Sequence, residues 1–264
     1  MTRIIFIGDI VGEAGLRYLE SRLPELIVAH QPDFIVANAE NIALNTQPGS
    51  HGSCGMSPDL LARLYAVGVD LITGGNHSWD GPHGNSIHAD TRILRPVNYG
   101  RIAPGRGAEI IIKRGVRLGV INVASKTALP AVDQPLDAIE RQLAAWEGEY
   151  DLLLVDYHGE DVTEKLTMAY ALDGRITALL GTHTHVRTLD SIVLPGGTAY
   201  CTDVGMTGPS GGIQGYAPAL FIQSTRNRLP SSESLQFASG PVELGAVLVE
   251  TDRLRAIHIE RILA

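Results

Sequence analysis

Apolar residues recur along this chain in two rhythms. Short continuous runs at 4–7, 34–37, 71–73, 152–156 and 178–180 read as buried strands. Between them, residues 16–30, 58–67, 135–146 and 163–172 carry apolar positions at helical spacing. Ser57-Pro58 sets an N-cap residue ahead of a first-turn proline, a good helix start. Alternating strands and helices imply parallel pairing, with the loops gathered at the C-terminal ends of the strands. Other stretches predict antiparallel pairs: 109–113 with 117–123 across Arg114-Gly115-Val116, 191–194 with 198–202 across Gly196-Gly197, and 241–250 with 255–262 across Thr251-Asp252. A sheet that mixes βα units with hairpins therefore fits better than an all-parallel one. Three stretches, 41–55, 74–90 and 205–216, are glycine-rich and lack periodicity, as binding loops or mobile segments do.

Composition narrows this picture only in places. A chain of 264 residues can bury a substantial core, and no repeat, charge block or low-complexity linker marks a boundary, so one domain over 1–264 is expected. With 44% hydrophobic and 19% charged residues, and no apolar run of bilayer length, membrane insertion is not expected. The N-terminus turns acidic at Asp9, too early for a secretory signal, which points to the cytoplasm. Cys54 and Cys201 lie far apart, so neither a disulfide framework nor a thiolate zinc site is indicated. The net charge of −8 argues against a broad footprint for duplex DNA or anionic lipid and leaves room for a small phosphorylated ligand. Self-association leaves no mark in the sequence.

Candidate chemistry sits where the strands end. The run Leu179-Leu180-Gly181-Thr182-His183-Thr184-His185 presents two imidazoles one residue apart, half of a metal site if carboxylates converge on it. The first strand exits through Gly8-Asp9 and the second through Asn38-Ala39-Glu40-Asn41. The third runs into Gly74-Gly75-Asn76-His77, an amide beside an imidazole, and the strand at 152–156 opens into Tyr157-His158-Gly159-Glu160. Taken singly, Asp9 reads as a capping residue, Glu40 as a solvated carboxylate, and Asn38 or Asn41 as turn formers. Together they lie on the edge where α/β proteins build sites. Carboxylate, amide and imidazole donors without thiolate suit two divalent ions such as Mn²⁺, Fe²⁺ or Zn²⁺ sharing a bridging carboxylate. The remaining histidines lack this setting: His30 ends a helix, His88 lies in a loop and His258 in the last strand, while His51 and His83 lie on loops that could fold over the site. Gly8 to Gly15 lacks both the GxGxxG and the Walker A spacing, which weighs against a nucleotide-cofactor fold.

The ordered series Gly8-Asp9, Asn38-Ala39-Glu40-Asn41, Gly75-Asn76-His77, Tyr157-His158-Gly159-Glu160 and Gly181-Thr182-His183-Thr184-His185 resembles the calcineurin-like metallophosphoesterases. More narrowly, it is similar to their bacterial branch of YmdB-like 2′,3′-cyclic-nucleotide phosphodiesterases, and Asp203-Val204-Gly205-Met206-Thr207-Gly208-Pro209 matches that branch too. Two departures from the wider superfamily agree with the branch. Ile10-Val11-Gly12 follows Asp9 where a histidine is common, and Glu40 stands for the usual bridging aspartate. The resemblance implies an α/β fold, a mixed-sheet αββα sandwich forming one metallophosphoesterase domain, with the metal site at the C-terminal ends of the strands. It further implies that Asp9 and His185 bind a first ion, that Glu40 bridges, and that Asn41, Asn76, His158 and His183 hold the second, with iron or manganese favoured over zinc. His77 resembles the family's catalytic histidine.

The function expected on this basis is hydrolysis of a small phosphodiester, a 2′,3′-cyclic nucleotide above all, by a metal-activated hydroxide with His77 as proton donor. The residues alone support phosphoester hydrolysis; the regiochemistry comes from the resemblance. Two alternatives stay open: a phosphomonoesterase acting on nucleotides or phosphoproteins, and a non-catalytic regulator of RNA-processing partners.

Overall fold

The computed structural model describes residues 1–44, 54–228 and 235–263, so His51 and most of the stretch 41–55 named above lie outside the described residues. Its strands form two large sheets. In the first, β1 (Thr2–Ile7) lies parallel to β2 (Phe34–Asn38), which lies parallel to β3 (Leu71–Thr73); β12 (Ala246–Asp252) runs antiparallel to β1, and β13 (Arg255–Arg261) is the outer strand beside it. In the second, β4 (Ala108–Lys113) pairs antiparallel with β5 (Val116–Ala124), followed by parallel β6 (Leu152–His158), β7 (Ala178–Thr182) and β9 (Ala199–Cys201), with β8 (Ile192–Val193) antiparallel at the edge. Helices α1 (Gly12–His30) and α2 (Pro58–Ala66) belong to the first half of the chain, α3 (Pro135–Ala145) and α4 (Val162–Ala171) to the second. A small ribbon of β10 (Gly208–Pro209) and β11 (Val242–Glu243) and the helix α5 (Pro218–Asn227) complete the order.

The layering follows from the two-residue period of a strand. Ile4, Phe6, Phe34, Val36, Leu152, Leu154, Val247 and Val249 point inward and meet between the sheets, while Ile5, Ile7, Ile35, Ala37 and Leu248 point outward onto α1 and α2. Leu153, Val155, Tyr157 and Leu179 form the outward face of the second sheet against α3 and α4. The result is the αββα sandwich that the resemblance implied. Helix α1 contributes Leu16, Leu19, Leu23 and Leu26, the spacing of one helical face. Full burial of each such side chain is worth about 1.5–3 kcal/mol.

Several expectations are adjusted by the structure. Helix α1 starts at Gly12 rather than 16, and Ser57 occupies the N-cap of α2 in extended conformation without a side-chain capping bond. The 114–115 turn is tighter than predicted, because Arg114 and Gly115 both take positive φ (51° and 80°) and Val116 joins the strand. The tail strand breaks into β11 and β12, since residues 242–243 pair with β10 while 246–251 pair with β1. Helix α5 buries none of its residues, which is why no apolar stripe announced it.

Candidate metal centre

The inward-facing period that builds the core also builds the site. Along β6 the inward positions are Leu152, Leu154, Asp156 and His158, so the face passes from leucine to carboxylate to imidazole as the strand reaches its C-terminal end. On β2 the same face ends in Asn38, on β5 it reaches Asn122, and on β7 it ends in Thr182. All five polar side chains are buried, and bonds from Asn38, Asn122 and Thr182 converge on Asp156. Thr182 Oγ1 donates to Asp156 Oδ1 at 2.7 Å, while Asn38 Nδ2 and Asn122 Nδ2 reach Oδ2 at 3.1 and 3.4 Å. Burial pushes the Asp156 carboxyl up to about 6, against the pull of His158 and its hydrogen bonds.

This polar layer fixes which nitrogen of His158 faces the site. Because the Thr182 hydroxyl hydrogen goes to Asp156, its oxygen accepts from His158 Nδ1 at 3.0 Å, leaving Nε2 for the centre. Around Nε2 stand Asn76 Oδ1 at 2.9 Å, Glu40 Oε1 at 3.0 Å and His183 Nδ1 at 3.0 Å. The other ring nitrogen of His183 lies 3.4 Å from Glu160 Oε2. Glu40, His158 and His183 form a cluster whose ligand atoms could hold one metal ion.

Asp9 and His185 stand on the opposite side of this group. Asp9 Oδ2 accepts the His183 amide at 3.1 Å, and Oδ1, fully buried, accepts no hydrogen bond although His185 Nε2 is 3.8 Å and His158 Nδ1 4.0 Å away. His185 Nδ1 faces the Gln214 carbonyl at 3.0 Å, which directs Nε2 toward Asp9. The Asn41 amide lies 3.2 Å from His185 Nε2 and 3.4 Å from Glu40 Oε1, so the structure sets it on the His185 side and not with Asn76, His158 and His183. A short side chain leaving the second strand one residue after Glu40 reaches the near side only.

This donor set fits divalent cations. Carboxylate, amide and imidazole groups gather round a buried Asp9 oxygen that accepts no hydrogen bond and that a cation would satisfy. Cis donors on a six-coordinate ion with bonds of about 2.1 Å stand about 3.0 Å apart, the spacing found around His158 Nε2. Titration behaviour agrees. Burial opposes charge on Glu40, but His158 and His77 outweigh it and hold the carboxyl at about 2, whereas burial raises Asp9. Burial and the neighbouring His158 push His183 down to about 3, so its lone pair is free at neutral pH.

His77 stands apart from the cluster, at the head of a tight turn. Its amide donates to Glu40 Oε2 at 3.0 Å, and its Nδ1 pairs with Asp80 Oδ2 at 2.7 Å. The turn is braced from behind: Ser78 Oγ donates to the Gly75 carbonyl at 2.8 Å, and Trp79 packs on Tyr99 with ring centroids 4.4 Å apart. His88 is buried with Nε2 2.9 Å from the Ser78 carbonyl, a support for this turn where the sequence suggested an ordinary loop residue. Burial works against a charged His77, but Cys54, Glu40 and Asp80 outweigh it and push the ring up to about 10. His77 therefore carries a proton at neutral pH.

A cleft of about 300 Å³ opens over the centre, lined by Glu40, Asn41, His77, Glu160, His183, His185, Gln214 and Tyr216. Sequence reasoning passed over Asp80, Asp156, Gln214 and Tyr216. Asp156 was legible, since a residue two before His158 on a strand shares its face; Tyr216 and Gln214 come from a loop whose approach no local pattern encodes. His83 is exposed, His30 half-buried and His258 exposed on β13, none of them lining this cleft.

A family profile described as "YmdB-like protein" matches residues 5–262. The chain is 37% identical over 264 residues to a 2′,3′-cyclic-nucleotide 2′-phosphodiesterase of Bacillus subtilis, covering 99% of this chain and 96% of that protein. It superposes with a TM-score of 0.89 and 30% identity on the crystal structure of a phosphatase from Mycoplasma pneumoniae, over 99% of this chain and 92% of the other. A TM-score of 0.56 at 11% identity to the NAD nucleotidase of Haemophilus influenzae, over 98% of this chain and 55% of that one, extends the likeness at the level of fold alone.

Proposed function

The chain belongs to the YmdB-like family, and on that premise we propose that it is a metal-dependent phosphodiesterase that opens the cyclic phosphate of 2′,3′-cyclic nucleotides at the 2′ oxygen. One observation carries the reading: Glu40 Oε1, Asn76 Oδ1 and His183 Nδ1 all crowd His158 Nε2 at 2.9–3.0 Å, an arrangement of acceptors that calls for a cation. In this reading Asp9, Asn41 and His185 hold one divalent ion, Asn76, His158 and His183 hold another, and Glu40 lies between them. The family resemblance favours iron or manganese, and zinc takes the same donors. When bound, such ions acidify water and offset charge on phosphoryl oxygens.

The chain's own residues supply the rest. In this reading His77 is the proton donor beside Glu40, with Asp80 bonded to its Nδ1 and holding the ring in place. As water adds to phosphorus and the bond to the 2′ oxygen breaks, that proton passes to the departing oxygen, leaving a 3′-phosphate. General-acid help of this kind contributes about 10²–10⁴-fold. The open cleft, with Tyr216 and Gln214 facing the donors, gives a nucleoside access that a closed structural site would not. We take residues 1–264 to work as one domain in this role.

The test is metal-reconstituted protein assayed on 2′,3′-cyclic AMP, 3′,5′-cyclic AMP, bis-p-nitrophenyl phosphate and p-nitrophenyl phosphate, with products resolved. Formation of 3′-AMP from the 2′,3′-cyclic substrate is expected. Turnover of the monoester alone would overturn the proposal.

A further inference from the structure

Helix α4 turns a lysine into the protein interior. Lys165 lies on the same stripe as Met168, Ala169 and Leu172 and is fully buried, as is its partner Asp203. Burying an ion pair is a poor way to gain stability, since a well-packed apolar pair of similar volume is often neutral or better. What these two groups touch is therefore informative. Lys165 Nζ donates to the Thr182 carbonyl at 2.9 Å and to Asp203 Oδ2 at 3.1 Å, and the same Oδ2 accepts the Thr184 amide at 3.1 Å. Asp203 Oδ1 is held in turn by the Gly205 amide at 2.8 Å.

The segment bracketed by those bonds is unusual. His183 has φ 96° and His185 φ 65°, both in the left-handed region that a side chain with Cβ enters only when its surroundings enforce it. In ordinary extended backbone the two rings would leave on the same side. Here they diverge, His183 Nδ1 to 3.0 Å from His158 and His185 Nε2 to 3.2 Å from Asn41.

We propose that the buried Lys165–Asp203 pair is a positioning clamp, gripping the Thr182 carbonyl and the Thr184 amide so that the intervening backbone stays left-handed and sends its two imidazoles to opposite sides of Glu40. Lys165 and Asp203 touch neither substrate nor ion; they act through His183 and His185. The proposal rests on the metal-centre reading above.

The test removes both charges together, Lys165→Met with Asp203→Leu, so that neither is left buried alone. Metal-free protein is then melted and titrated with Mn²⁺ alone. We expect a melting temperature close to that of the wild type but Mn²⁺ affinity lower by about 10–100-fold, the usual cost of losing support for a ligand. Equal affinity in variant and wild type overturns the clamp and leaves the metal reading standing, whereas failure of the wild type to bind Mn²⁺ overturns both. Weakened binding that appears only with a collapsed melting temperature assigns the pair to folding and also overturns the clamp. If the double variant does not fold, hydrogen exchange in metal-free wild type decides the matter. The His183 and Thr184 amides must then be protected as strongly as those of β7, and fast exchange there refutes the proposal.

Discussion

Gly75 offers the most direct test of how closely the centre is built. It precedes Asn76, it is buried, and its φ is not in the left-handed region, so the backbone itself would accept alanine. The space would not. An added Cβ would lie 2.3 Å from Glu40 Oε2 and 2.4 Å from both Cδ2 and Nε2 of His158, where ordinary contact begins at 3.4 Å. Each group must retreat by about 1 Å, and neither is free to do so cheaply. Glu40 Oε2 is tied to the His77 amide, and His158 to Thr182 and through it to Asp156. A misplacement of about 1 Å at a reacting centre costs about 10²-fold in rate, or about 2.7 kcal/mol of transition-state stabilisation. The overfilled site also costs stability, about 1–3 kcal/mol, only partly offset by the about 0.4–1 kcal/mol that removing a glycine from the unfolded chain returns. Gly75→Ala is therefore expected to lower kcat/KM about 10²-fold on a cyclic-nucleotide substrate, with bound metal, read by elemental analysis, also reduced and the melting temperature moderately lowered. Gly100→Ala is the control, since a Cβ there meets nothing within 4 Å. A Gly75→Ala protein with wild-type turnover and full metal content would refute the reasoning.

Other consequences can be checked separately. Thr182→Val removes the hydroxyl between Asp156 and His158, and isothermal titration should show metal affinity reduced about 10–100-fold. Leu154→Ala opens a cavity between the two sheets, where the side chain is fully buried, and should cost about 2–5 kcal/mol in denaturant unfolding. Arg63 bonds to Glu13 and Glu20 and holds both carboxyls below their usual range, so its stabilisation is complete above that range and is lost as pH falls through the lowered values. Arg63→Met should accordingly melt earlier than wild type at pH 7, by less than about 1 kcal/mol per half-exposed pair, and the difference should vanish in acid.

How far the sequence reaches can be seen strand by strand. Runs such as 4–7 and 152–156 are strands because their apolar residues are contiguous and β-branched or leucine-rich, and that is local information. Asp9, Glu40, Asn76, His77, His158, His183 and His185 could be picked out because each follows such a run, and parallel pairing carries the first four to one edge of the first sheet and the last three to one edge of the second. Lys165 was visible too, as a charge on the apolar stripe of a helix, yet nothing nearby in the chain says which carbonyl it meets.

What only the tertiary structure decided is orientation. The sequence determined that seven candidate donors and one further imidazole leave strand ends, because periodicity and residue chemistry are properties of short segments. It did not determine that Asn41 faces His185, that His183 and His185 diverge through left-handed backbone, or that Asp156 sets the tautomer of His158 through Thr182. Those depend on contacts between residues 24 to 144 positions apart, set by how two sheets pack and where their loops come to rest.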